Sequence, residues 1–380
     1  MIRHFYILTF ILLTSAVFGQ DNKVSFDKLI GNFKNSWRDP FSGRKNDSVA
    51  ISSLYKTDQF NVSISENPIA FDTSYLVIKN PYYTDDFDDY DDNYINYPVS
   101  YSIIYDDRLV SLFRTGKFVC HKLENMERDF DLEKKLNTKK FKYHWIVNDK
   151  LAALAGRVIY VWNGKWTSLK TKFPLEKQPK LFEDHEFVVF GDCHGEWGGT
   201  IYFFEKASGK IYLTESTCAN SVYKKDNKYL VLAQLGHGTG FTEIKSIDNP
   251  RKLTEAKKSE IGKTKDGGAL GYSDKSQAYE KLLDLYSIQI FSTFNYQGRQ
   301  LYIVRLNELT FLAEIKGTEI QIVNPLFDKA FYTHQPVTTA YCNYTLVNLD
   351  FYGVALDKEV SVIIIGQNRV TEVDWNERVE

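Results

Sequence analysis

EFVVFGDCHGEWGGTIYFFEKASGKIYLTESTCANSVYKKDNKYLVLAQLGHGTGFTEIKSIDNP, residues 186 to 250, writes out one strand-rich pattern twice. Placing His194 on His237, a shift of 43 residues, also brings Gly195 onto Gly238, Ile201 onto Ile244 and Glu205 onto Asp248. Upstream, Phe187-Val188-Val189-Phe190 falls on Leu230-Val231-Leu232-Ala233. The first copy reads as an apolar run to Asp192, a Gly-rich break, the run Thr200 to Phe204, a turn at Lys206 to Lys210, and Ile211 to Thr214. Such runs, rich in Val, Ile, Tyr and Phe and bounded by Gly, Asn, Asp and Lys, form strands joined by tight connections. A repeat of roughly 40 to 45 residues holding about four strands is the spacing of a β-propeller blade. A single blade cannot bury both of its faces, whereas a ring of blades covers them and leaves only short edges.

The same pattern extends to both sides. FKYHWIVNDKLAALAGRVIYVWNGKWTSLK gives four strands, Tyr143 to Val147, Leu151 to Ala155, Val158 to Trp162 and Trp166 to Leu169. Its Asn163-Gly164 turn is a strong hairpin signal. Leu109 to Cys120 reads as a hairpin turning at Thr115-Gly116-Lys117, and Lys122 to Asn137 as a charged surface helix or loop between blades. Strand-like runs at Val49 to Ile51, Phe60 to Ile64, Tyr75 to Ile78 and Tyr101 to Tyr105 are expected to supply one or two blades more. Towards the C-terminus, strands are predicted at Ile288 to Phe294, Leu301 to Leu306, Thr310 to Ile315 and Glu319 to Val323. A last blade runs from Tyr344 through Val354 to Leu356, Val360 to Ile365 and Val370 to Val373. The expected architecture is all-β, a propeller-like array of five to seven antiparallel four-stranded blades over residues 46–380.

Three segments depart from that rhythm. Phe26, Leu29, Ile30, Phe33 and Trp37 follow helical spacing, which predicts a short N-terminal helix within residues 20–45, packed on the first blade. Residues 255–276 are rich in Lys, Gly and Ser and read as an insertion, followed by a helix through Ala278, Leu282, Leu285 and Tyr286. Its Gly262-Lys263-Thr264 is not a phosphate loop, because position 257 is Lys where that motif has Gly. Tyr82 to Tyr94 carries six aspartates. An EF-hand counted from Asp85 fails at its sixth and twelfth positions, Tyr90 and Asn96, so the stretch reads as a solvated acidic loop.

The chain opens with MIRHFYILTFILLTSAVFGQ. A basic start at Arg3 and His4, an apolar core from Phe5 to Leu13, and Val17 and Gly19 ahead of Gln20 have the form of a secretory signal peptide over residues 1–19. The apolar run is shorter than the roughly 20 residues of a membrane span, and no later stretch is long enough either. Export to the periplasm or beyond permits disulfides among Cys120, Cys193, Cys218 and Cys342, and no C-x-x-C pair suggests a zinc ribbon or redox site. A formal charge of −2, or −3 once Arg3 is removed, gives no electrostatic case for nucleic acid.

Counting strands from the Asn148-Asp149 turn places alternate connections on one rim. Gly156-Arg157, the Cys193 to Gly199 loop, the Thr217 to Asn220 connection and the Gly236 to Gly240 loop all fall on that side. Cys193 ends one strand and Cys218 follows the next strand but one, so their loops meet and a Cys193–Cys218 disulfide is expected. His194, Glu196, Trp197, His237 and Arg157 are the candidate ligand-binding residues. An aromatic such as Trp197 among polar loop residues suits contact with a sugar or peptide. Asp192, His194, Glu196 and His237 are also metal-binding types, and a Glu beside a metal-bound water is a general base. The loop offers no rigid i, i+4 spacing, and its glycines serve turns with positive φ. No nucleophile elbow, paired-histidine zinc helix or dinucleotide fingerprint occurs.

GDCHGEWGGTIYFFEKASGKIYLTESTC followed by GHGTGFTEIKSIDNP resembles a group of uncharacterised secreted β-propeller-like proteins of Bacteroidetes-type bacteria. The resemblance implies a periplasmic or extracellular setting and no particular activity. The resulting expectation is an exported propeller that binds a carbohydrate, peptide or envelope protein through the Gly-rich loops of one face. The alternative is a hydrolase or lyase using His194, Glu196 and His237.

Overall fold

The computed structural model describes residues 26–36, 54–82, 98–169, 178–236, 240–257, 261, 264–265, 268–269, 278–306, 309–327, 331, 333–349 and 362–375. Period-two alternation builds the sheets. In one antiparallel meander Val189 and Phe203 turn to one face while Phe190 and Tyr202 turn to the other, and all four are fully buried. A sheet apolar on both faces is stable only between two neighbours.

Six blades follow in chain order, each written from the axis outward. Blade 1 is Ile103–Tyr105, Arg108–Leu112 and Phe118–Lys122, with helix α2 (Phe130–Leu136) beside its last strand where a fourth strand would lie. Blade 2 is Tyr143–Val147, Lys150–Ala155, Val158–Trp162 and Trp166–Ser168. Blade 3 is Lys180–Glu183, Phe187–Cys193, Gly199–Glu205 and Ile211–Glu215, and blade 4 is Ala219–Lys225, Lys228–Leu235, Phe241–Ile247 and Glu280–Tyr286. Blade 5 is Gln289–Tyr296, Arg299–Leu306, Leu309–Lys316 and Glu319–Phe327. Blade 6 is Val337–Ala340, Tyr344–Asn348, Val362–Gly366 and Arg369–Asp374. The internal repeat therefore superposes the second and third strands of blades 3 and 4.

Six apolar clusters, one between each pair of neighbouring blades, close the ring. The decisive one joins blade 6 to blade 1 through Leu346, Val362, Val373 and Trp375 on one side and Leu109, Phe113 and Val119 on the other. In four of the six blades the hairpin nearest the axis turns through a residue pair whose members both have positive φ, Asp106-Asp107, Asn148-Asp149, Asp226-Asn227 and Gln297-Gly298. Paired positive φ is the type I′ geometry that matches strand twist. On the axis, residues of blades 1, 2, 3 and 6 leave a cavity of only about 20 Å³, room for about one water.

The structure revises several expectations. The runs at Asn61–Ile64 and Asp72–Val77 form no blade of their own, because each adds in parallel to an outer strand, of blade 5 and of blade 6 respectively. Helix α1 (Phe26–Ser36) forms, yet Leu29, Phe26 and Ile30 pack into the cluster between blades 4 and 5, not onto blade 1. Glu280–Tyr286 is a strand, not a helix. Leu283 and Leu285 alternate into the core, and a bulge against Ile244-Lys245 shifts the register at Leu282. The start of the expected insertion, Thr254–Ala256, is a fifth strand on blade 3. The inner strand of blade 6, Val337–Ala340, was not anticipated. The signal peptide, Val49 to Ile51, Val354 to Leu356, His237 and most of the acidic and Lys-rich stretches lie outside the described residues.

Candidate functional site

The antiparallel strand order puts the turn between a blade's second and third strands on the same rim as the connection to the next blade. Backbone hydrogen bonds tie these two kinds of loop together at three places around the ring. Phe141 donates to the Gly116 carbonyl at 3.1 Å, Ser216 to Gly199 at 3.0 Å and Ser287 to Gly240 at 3.1 Å. The rim is thus a frame of paired loops fixed by main-chain contacts.

On blade 3 that frame is tightest. Cys193, at the end of the second strand, is bonded to Cys218 in the connection to blade 4, with Cα atoms 4.3 Å apart, as the strand count predicts. A side chain at Gly199 would sit 2.5 Å from the Asp192 carbonyl oxygen and 2.7 Å from that of Ser216, so only glycine admits this approach of two backbones. Between these anchors, residues 194–198 form one closed turn. The His194 amide donates to the Gly198 carbonyl at 2.9 Å and the Trp197 amide to the His194 carbonyl at 3.2 Å. Gly198, at φ 93° and ψ −159°, holds a conformation that belongs to glycine.

The turn leaves Trp197 at 60% exposure, beside the exposed Glu196 and half-buried His194. Asp192 lies below them, buried, accepting a 2.6 Å hydrogen bond from the Tyr202 hydroxyl. Its carboxylate is engaged in holding the second and third strands together. Arg157 is exposed on the equivalent turn of blade 2, one blade away and on the same rim, and Val158 next to it is also exposed. On blade 4, Gly236 and Gly240 flank the loop that carries His237. The structure thus groups His194, Glu196 and Trp197 in one turn and sets Arg157 beside it on the next blade. Among the described residues, no group of three or more His, Cys, Asp and Glu side chains is placed to hold a metal ion.

Sequence reading passed over the rim's cations, Arg114, Lys139, Lys140 and Lys142, because the whole-chain charge is near neutral. The signal was local, in the run Lys139-Lys140-Phe141-Lys142.

Architecture and rim together define the chain as a six-bladed β-propeller. No family model matches its sequence, and no curated protein does. Among solved structures it is similar to the tricorn protease, at TM-score 0.41 and 11% identity over 74% of this chain. This chain spans 26% of that protein's length. It is also similar to the N-terminal domain of Nup159, at TM-score 0.37 and 9% identity over 84% of this chain and 86% of that one. BamB from Moraxella catarrhalis follows at TM-score 0.32 and 10% identity, over 65% and 80%. Likenesses this distant carry nothing about ligand or activity.

Proposed function

We propose that this protein is an exported binding propeller whose ligand surface is the rim bearing the Cys193–Gly199 loop, and that its ligand is a carbohydrate, peptide or envelope protein. The carrying observation is Trp197. Its indole, left 60% exposed, offers an apolar face with a polar N–H, and it stands on a turn anchored by a disulfide and a backbone wedge. Such anchoring lowers the ordering cost of binding, since the loop need not be fixed when the ligand arrives. Glu196, His194 and Arg157 supply hydrogen-bonding and charged groups around it. Export is supported by the N-terminal pattern, by the resemblance to secreted proteins, and by a disulfide of the kind that persists in oxidising compartments. No helix among the described residues is long and apolar enough to cross a membrane.

The test is Trp197→Ala in the full secreted chain, screened beside the unaltered protein against oligosaccharide and peptide panels. A ligand of the unaltered protein should bind the variant at least about tenfold more weakly, as expected for removal of an exposed aromatic anchor, with an unchanged melting temperature. Equal binding by both proteins overturns the reading.

A further inference from the structure

The described rim loops of blades 1 and 2 carry basic side chains and no acidic ones. Among the described residues three loop segments compose this rim, the blade 2 to blade 3 connection on the same rim lying largely outside them. They are the turn at residues 113–117 (FRTGK), the connection at 137–142 (NTKKFK) and the Gly156-Arg157 turn. They contain six Lys or Arg residues and no Asp or Glu. Arg114, Lys139, Lys140, Lys142 and Arg157 are exposed.

These segments form one surface. The Phe141 amide donates to Gly116 at 3.1 Å, the Lys117 amine to the Asn137 carbonyl at 3.1 Å, and the Asn137 side chain bonds both backbone groups of Phe118. Lys139 reaches across to blade 2, its amine 4.9 Å from the Tyr160 ring, and Tyr160 lies in the strand that begins beside Arg157. The opposite rim of the same two blades turns through Asp106-Asp107 and Asn148-Asp149. That rim also carries Lys150 and Lys165 and so mixes both signs, whereas the described loops of this rim are basic throughout, although the chain as a whole carries −2. A field of this kind orients an anionic partner towards the basic rim.

We propose that this basic rim binds an anionic polysaccharide, lying across blades 1 and 2 and running on towards Trp197. The proposal rests on the rim-binding reading above and names its ligand class. The cations are spread along loops, not gathered around a cleft, and they are mostly flexible lysines. That arrangement suits repeated carboxylate or sulfate groups better than one anion gripped by a guanidinium fork. A protein partner would need an apolar centre to the contact, and these segments expose no large apolar side chain, Val158 beside them being the nearest in sequence. A nucleic-acid strand would need a series of aromatic faces for successive bases, whereas among the described residues of this path Trp197 stands alone and the Tyr160 ring already lies under the Lys139 amine.

The experiment measures anisotropy of labelled heparin, polygalacturonate and a dT oligonucleotide with the full secreted chain. The rim variant carries Lys139→Glu, Lys140→Glu and Lys142→Glu. A control carries Lys150→Glu, Lys165→Glu and Lys225→Glu on the opposite rim, with the same change of charge. Both are first shown to melt with the unaltered protein. Polysaccharide affinity should fall about a hundredfold between about 50 and 200 mM salt, as four or five neutralised charges require. The rim variant should lose at least about tenfold and the control less than about twofold. Heparin binding without polygalacturonate binding assigns sulfate as the recognised group, and binding of both assigns any repeated anion.

No binding at the lower salt, equal losses in rim and control variants, or an oligonucleotide bound as tightly as the polysaccharides would overturn the proposal. Trp197→Ala separates the two readings. A rim variant that fails while Trp197→Ala binds normally upholds the basic surface and removes the indole from it. The reverse pattern removes the basic surface.

Discussion

Lowering the pH from about 7 to 5 will destabilise this fold, and replacing His144 with Gln will remove a defined share of that loss. His144 is 2% exposed on the inner strand of blade 2. Its Nε2 donates to the Val110 carbonyl of blade 1 at 3.1 Å, and its Nδ1 accepts from the Ser100 hydroxyl. Burial lowers its pKa from 6.5 to about 4, outweighing the Val110 bond, which raises it. His121, also 2% exposed, is lowered to about 4 by burial first and by the nearby Arg128 second. The sign follows from proton uptake. An unfolded histidine binds its proton near pH 6.5 and the folded one only near 4, so between those values the unfolded chain holds more protons and stability is lost as the pH is lowered. Each histidine thus withdraws about 2 kcal/mol by pH 5 and about 3 kcal/mol by pH 4, against a typical total of about 5–15 kcal/mol. The window from pH 6.5 to 5 lies above the range where unfolded carboxylates titrate, which isolates the histidines. Urea unfolding followed by tryptophan fluorescence across that window is the assay. Between pH 7 and 5 the unaltered protein should lose about 4 kcal/mol from the two histidines and His144→Gln about 2 kcal/mol less. A Gln amide can keep the bond to Val110, so the variant should fold. Identical pH slopes in both proteins, or a His144 imidazole that titrates near 6.5 in the folded chain, would refute the reasoning.

Three further outcomes are expected. Thiol titration of the unreduced, denatured protein should find two reactive groups, Cys120 and Cys342, and reduction should cost about 3 kcal/mol for a bridge spanning 25 residues, read from unfolding curves with and without a dithiol. Gly199→Ala should destabilise by about 2 kcal/mol or more, since the new methyl meets two backbone carbonyls. Gly195→Ala, with open space but φ 61°, should cost about 1 kcal/mol, and thermal melts will rank the two. Trp375→Ala should cost about 3–5 kcal/mol by emptying the blade 6–blade 1 cluster, and hydrogen exchange should rise first in those two blades. Uniform loss of protection around the ring would count against that account of closure.

What the sequence could and could not disclose follows from the range of each interaction. The strand pairs of blades 3 and 4 were legible because hairpin partners are close in sequence, and their alternation, Gly-rich turns and cysteine placement all agree. The parallel additions were not legible in the same way. Asn61 pairs with Glu319 and Asp72 with Arg369, and neither a turn nor a local pattern announces a partner so far along the chain. Misreading Glu280–Tyr286 has a different cause. The bulge at Leu282 breaks strict alternation, and the spacing of Ala278, Leu282, Leu285 and Tyr286 then imitates a helical stripe. The candidate turn at 194–198 was found from its residue types, whereas the basic rim was hidden by averaging charge over the whole chain.

The parallel addition on blade 6 also ties an early part of the chain to the last blade, since Asp72–Val77 pairs with Arg369–Asp374. Blade 1 has three strands and a helix, and each is contributed by consecutive residues. Blade 6 is likewise complete before Asp72–Val77 arrives on its outer edge. Closure is therefore carried by that strand pairing and by side chains at the seam, with Phe113 edge-on to Trp375 and His121 edge-on to the same indole. The strand on blade 6 leads through the chain to blade 1, so each supports the other's position. The rim loops of blades 1 to 4, with Arg157 and Trp197 among them, lie on the side of the ring that starts at this seam. Their relative placement is fixed by four uninterrupted interblade cores, counted from the seam to the far face of blade 3, which is the rigidity a preorganised binding surface requires.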